Sequence, residues 1–190
     1  MWEPWKGSDY ESTRLLLLGE SAYSWIQDGR EVHPSPRHSI LTVEEAITDF
    51  PTTPFAIKLT RGVTGKENPS REDREVGWSR VAFTNYVPRA VGGAARVRPS
   101  PELWVEAQAE FHNLLKTLQP KNVIVLGKEM WAMMPDTQVW LTDDVQGYVV
   151  DDDMALCWAV PHPSAGLSWE WLAMLVQYLC EGRKALRSVR

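Results

Sequence analysis

Four short apolar runs constrain this chain more than anything else in it: Arg14-Leu-Leu-Leu-Leu-Gly19, Val81-Ala-Phe-Thr-Asn-Tyr-Val87, Asn122-Val-Ile-Val-Leu-Gly127 and Leu156-Cys-Trp-Ala-Val160. Each is too short for an ordinary helix and lacks the polar alternation of a half-exposed strand, so each reads as a strand buried on both faces, as in parallel sheets. Parallel strands need long crossovers, and the segments between the runs offer helices. Leu103, Ala107, Phe111, Leu114, Leu115 and Leu118 recur at helical spacing, with Ser100 before them as N-cap and Pro101 in the first turn; the pattern predicts a helix over 101–118. Thr42-Val-Glu-Glu45 has the form of a capping box ahead of a helix running to about Phe50. Thr53-Pro54 opens another through Leu59, and the chain from Trp169 reads as a long helix ending in basic residues, which suit the negative end of its dipole. Residues 62–75 are polar and rich in turn formers and read as a surface loop. The alternation predicts an α/β fold: a three-layer α/β/α sandwich on a mainly parallel four-stranded central sheet.

With 190 residues, 44% of them hydrophobic, the chain fits one domain, residues 1–190, around its own core. A formal charge of -5 argues against a protein held to nucleic acid by bulk electrostatics and leaves a local basic groove, for which Lys58, Arg61, Arg80, Arg89, Arg96 and Arg98 are the candidates. Cys157 and Cys180, the two cysteines, sit in apolar surroundings without metal-ligand spacing and read as free thiols in a reducing cytoplasm. The opening Met1-Trp-Glu-Pro-Trp5 has no leader pattern, and no run approaches the ~20 apolar residues of a membrane span. A soluble, cytoplasmic, unprocessed monomer that avoids membranes is expected. Of the ten tryptophans, Trp104, Trp131 and Trp158 fall inside expected helices or strands and read as packing, whereas Trp25, Trp169 and Trp171 lie near the expected mouth of a site.

Ligands of open α/β sheets bind beyond the carboxyl ends of the strands. Those ends carry Glu20 to Tyr23, Asn85 to Arg89, Gly127-Lys128 and His162 to Leu167. Taken in order, Gly19-Glu-Ser-Ala-Tyr23, Thr84-Asn85, Leu126-Gly127 and His162-Pro-Ser164 resemble the uracil-DNA glycosylase superfamily over residues 14 to 170. The middle is similar to its iron-sulfur branch, through Thr84-Asn85, Arg98-Pro99 and Pro120-Lys-Asn-Val-Ile-Val-Leu-Gly127. The resemblance implies an enzyme that flips uracil or a related deaminated base out of DNA and hydrolyses its N-glycosidic bond, with DNA as partner. That branch's cluster needs four cysteines, so no iron-sulfur centre, metal or other cofactor is expected here.

Breaking an N-glycosidic bond leaves positive charge on the sugar and negative charge on the departing base, so a site needs an anion near one and a hydrogen-bond donor near the other. By the resemblance, Glu20 and His162 are the catalytic pair, and Asn85 reads the base, since a carboxamide pairs with the uracil edge and clashes with that of cytosine. Tyr23 stands where relatives exclude the thymine methyl, Ser21 where the uracil-specific branch has its water-activating aspartate, and Ala22 where a proline is usual. Phe55 and Phe50 are both candidates to stack on the base. Ser164, Leu167 and Arg89 are the expected DNA contacts, Leu167 as a wedge in the base stack. His33-Pro-Ser-Pro36 follows polar residues and reads as a turn. A catalytically silent relative that binds a nucleobase, nucleotide or nucleic acid is the alternative, and Ser21 and the acidic charge favour it; an interaction module keeping only the scaffold is a third.

Overall fold

Leu15 to Leu18 are all fully buried, which an extended backbone permits only when both faces of the strand are covered. Each such leucine contributes about 2 kcal/mol through lost apolar exposure. The structure is a computed structural model and describes residues 2–92, 97–137 and 139–181. Its sheet comprises β1 (Trp5–Lys6), β2 (Leu15–Gly19), β5 (Val81–Asn85), β6 (Asn122–Leu126), β7 (Val139–Thr142), β8 (Val145–Val150) and β9 (Asp153–Val160), in the order β1-β5-β2-β6-β9-β8-β7. A separate hairpin joins β3 (Trp25–Gln27) to β4 (Arg30–Val32).

The expected runs all form strands, and they lie side by side as the parallel centre β5-β2-β6-β9. The four-stranded, mainly parallel sheet is nonetheless corrected to a mixed one of seven strands. On one flank β1 pairs antiparallel with β5; on the other, β8 and β7 fold back antiparallel from β9. These flanking strands are partly solvated, so they lack the continuous apolar signature of the centre.

The helices are α1 (Tyr10–Thr13), α2 (His38–Thr48), α3 (Pro54–Thr64), α4 (Arg71–Ser79), α5 (Pro101–Leu118), α6 (Lys128–Ala132) and α7 (Trp169–Glu181). On one face Leu16, Leu18, Val123, Val125 and Cys157 pack against the apolar stripe of α5 and Met130 of α6. On the other Leu15, Leu17, Ile124, Leu126 and Val160 pack against α2, α3, α4 and α7. Helix α5 runs over the expected residues, with Ser100 Oγ accepting from the Leu103 N–H. Two local expectations are corrected. Thr42 is interior to α2, which begins right after Pro36-Arg37, and its hydroxyl donates to the His38 carbonyl at 2.8 Å. Residues 62–75 hold the end of α3 and the start of α4, which is fixed by a reciprocal cap between Ser70 and Asp73. Both cysteines are free, and Cys157 is buried. No helix among the described residues is long and apolar enough to cross a membrane.

Candidate functional site

Parallel strands end on one rim, so the residues that follow β2, β5, β6 and β9 are neighbours whatever their separation in sequence. Gly19 is in register with Asn85, the last residue of β5, and Leu126 with Val160. The ladder between β2 and β5 continues past the strands: Tyr86 and Val87 donate to the carbonyls of Gly19 and Glu20, Val91 donates to Ala22, and Ser24 donates to Gly92. Glu20 and Asn85 are therefore held by backbone pairing on adjacent strands.

Alternation along β5 puts Asn85 on the face of Val81 and Phe83, and alternation along β9 puts His162 on the face of Val160. Phe55 of α3 packs on that face, its ring 6.5 Å from that of Phe83 and stacked on the imidazole of His162 at 5.5 Å. Asn85 is only 8% exposed. Its carboxamide makes no hydrogen bond to any described residue. Asn85 can sit this way because the residue beside it is Gly19, which has no side chain to fill the space.

The two prolines around His162 explain its position. Pro163 restricts the preceding residue to extended backbone, and His162 adopts φ -63°, ψ 138°. The chain then closes into a single 3-10 turn, Pro163–Ala165, which delivers the Ser164 N–H to His162 Nδ1 at 3.1 Å. A nitrogen that accepts cannot carry the proton, so the neutral ring bears it on Nε2. Burial lowers the pKa of His162, and the nearby Arg98 adds to the effect. The site thus holds a neutral imidazole whose Nε2–H has no partner among the described residues. Gly127, at φ +150°, lies against the same ring, and a β-carbon there would stand 3.8 Å from His162 Cδ2.

Glu20 is buried, and its carboxylate takes two hydrogen bonds from Arg98 Nη1, at 3.0 and 3.1 Å. Burial raises its pKa, Arg98 opposes that by charge and hydrogen bond, and Glu129 adds to the rise. Ser21 Oγ is sealed from solvent without a partner. Tyr23 is 38% exposed at the rim, its backbone bridged to Val91.

Phe55 thus meets His162, while Glu20, Ser21 and Asn85 adjoin along the paired ends of β2 and β5. Leu167 is corrected: it is 3% exposed and packed in the core with Leu172 and Val176, so it is not a projecting wedge. Ser164 is exposed and serves His162 through its backbone, and Arg89 is exposed and paired with Glu106. Phe50 lies against Arg61. His33 is exposed between β4 and α2. Among the basic candidates, Arg98 serves Glu20, while Arg96 and the basic end of the chain lie outside the described residues. Trp25 and Trp171 are exposed, whereas Trp104 is buried in α5 and Trp158 donates to Asn122.

Glu129 is the participant that the sequence reading missed; its signal is its place one residue past Gly127-Lys128 at a strand end. Among the described residues no cluster of three or more His, Cys, Asp or Glu is placed to hold a metal ion. A cleft of about 410 Å³ opens at the opposite rim, between Arg14, Gln119 and the 150–155 turn. Its cation is already committed to Asp153 and the Gln119 carbonyl. No protein-family model matches the chain, and neither does any curated protein.

Proposed function

We propose that this protein is a DNA glycosylase that hydrolyses the N-glycosidic bond of uracil or a related deaminated base flipped from DNA. One observation carries the reading: a neutral imidazole and a carboxamide, neither the Nε2–H nor the amide having a partner among the described residues, share a face at the carboxyl ends of parallel strands. In this mechanism Asn85 accepts from the ring N–H of the base and donates to its carbonyl, while Phe55 lines the place of the ring. His162 Nε2–H donates to the base oxygen on which charge collects as the C1′–N bond breaks, and the base leaves with the bonding electron pair. Glu20 faces the cationic sugar and orients the water whose oxygen joins C1′, and the proton this water loses ends on the departed base anion. A donor aimed at developing charge is typically worth about 3 kcal/mol of transition-state stabilisation. The finer cast of residues, Tyr23 selecting against a methyl and DNA meeting the rim near Arg89 and Ser164, belongs to the same proposal.

A second reading has its own support. Arg98 occupies both oxygens of Glu20, which suits a silent binder of a nucleobase or nucleic acid better than an acid poised beside a sugar. Oligonucleotides containing uracil, hypoxanthine or xanthine, single- and double-stranded, separate the two. Alkali-labile product that is lost in His162→Ala and Asn85→Ala supports the glycosylase; retained binding without product on every substrate supports the silent binder.

A further inference from the structure

Glu20 shares its cation. Arg98 comes from the segment preceding α5, anchored by buried Pro99. Its Nη1 reaches Glu20, at the end of β2, and its Nη2 reaches Glu129, in the first turn of α6. Two carboxylates therefore divide one guanidinium, and their surroundings differ: the side chain of Glu20 is 9% exposed and that of Glu129 is 67% exposed. Water can replace Arg98 for Glu129. It cannot do so for Glu20, whose charge depends on its partner.

We propose that Arg98 is a positioning residue that holds Glu20 as an oriented carboxylate, and that Glu129 tunes this hold by competing for the same guanidinium. The part Glu20 then plays rests on the glycosylase reading; the electrostatic coupling does not. The two Nη1 hydrogen bonds fix the direction of the carboxylate, a constraint a lone water would not impose. Among the described residues the charged and titratable groups facing the pair are Glu129 of α6, His162 after β9 and, beyond His162, Lys58 of α3. Arg98 lowers the pKa of both Glu20 and His162, and Glu129 raises both. Loss of either charge therefore moves the acid and the imidazole in the same direction: upward without Arg98, downward without Glu129.

The test is a carbon-13 carboxyl NMR titration of the full chain beside its pH-rate profile on a uracil-containing oligonucleotide. Expected is a Glu20 midpoint displaced upward in Arg98→Gln and downward in Glu129→Gln, with the acid limb of kcat following in each. At a pH well below the original midpoint, Arg98→Gln loses about tenfold in kcat for each pH unit of displacement, with KM little changed. Arg98→Lys restores the midpoint more fully than the rate, since an ammonium does not reproduce the planar group that reaches Glu20 with Nη1 and Glu129 with Nη2. Arg98 is largely exposed, so its variants keep the fold. A Glu20 midpoint that stays in place in both variants overturns the proposal, as does an acid limb that ignores a displaced midpoint. If no oligonucleotide is cleaved, the glycosylase reading fails while the titration still decides the coupling.

Discussion

Asn85 Oδ1 lies 2.5 Å from where a β-carbon on Gly19 would stand. The glycine's backbone is ordinary extended strand, so alanine at this position meets no conformational penalty and collides only with the end of a short side chain. Gly19→Ala is expected to fold with a melting temperature near that of the parent while displacing the Asn85 carboxamide. Uracil excision, or uracil binding if the protein is silent, falls by at least about tenfold, comparable to the loss of one good hydrogen bond. Thermal melting beside the oligonucleotide assay checks both halves.

Leu167→Ala separates a core residue from a DNA wedge. Removing a fully packed leucine costs about 2–5 kcal/mol, so the variant melts markedly lower, and its activity on a single-stranded substrate, measured well below that melting point, stays close to the parent's. A variant of unchanged stability that selectively loses double-stranded activity would restore the wedge.

Glu20→Gln is expected to trade activity for stability. Burial raises the pKa of Glu20, so above its folded midpoint the ionised group opposes folding, and the neutral amide removes that opposition. Arg98 keeps Glu129 and water as partners. Differential scanning calorimetry at pH 7 should give a higher Tm than the parent, together with a loss of at least about a hundredfold in excision.

Two partly buried histidines set a slope of stability against pH. His38, packed against Trp2, and His162 both have their pKa lowered by burial from the ordinary 6.5. A group with a depressed folded value binds fewer protons folded than unfolded, so the stability it contributes is present above pH 6.5 and is lost as pH falls toward the folded values. Glu20, raised, acts in the opposite sense, gaining as it protonates. Denaturant midpoints should therefore decline from pH 7 to 5.5, and the double variant His38→Gln/His162→Gln should flatten the decline.

The parallel centre and α5 were legible because their signals are dense: unbroken apolar runs, and a capped stripe ending at Gln119, a left-handed residue at φ 46°. Asn85 and His162 were legible as strand-end residues for the same reason. The hairpin β3–β4 escaped although it carries its signal, Asp28-Gly29 with both residues at positive φ, because its strands are exposed and weakly apolar. The pairing of Arg98 with Glu20 spans 78 residues and leaves no periodic trace. An arginine in a polar loop has solvent as its ordinary partner, and only the fold shows which acid lies within reach. Leu167 was misplaced because nearness to His162 in sequence says nothing about which way a side chain turns after a 3-10 turn.

The hydrogen bonds from Val91 to Ala22 and from Ser24 to Gly92 make the two segments beyond β2 and β5 behave as one ribbon. The separation of the Glu20 and Asn85 backbones is then set by strand pairing, near the ~4.8 Å that divides neighbouring strands, instead of by a loop that could wander. Lengthening either segment alone by one residue would slip the ribbon and turn one group away from its counterpart, so variants of this chain can change length here only by matched steps on both sides.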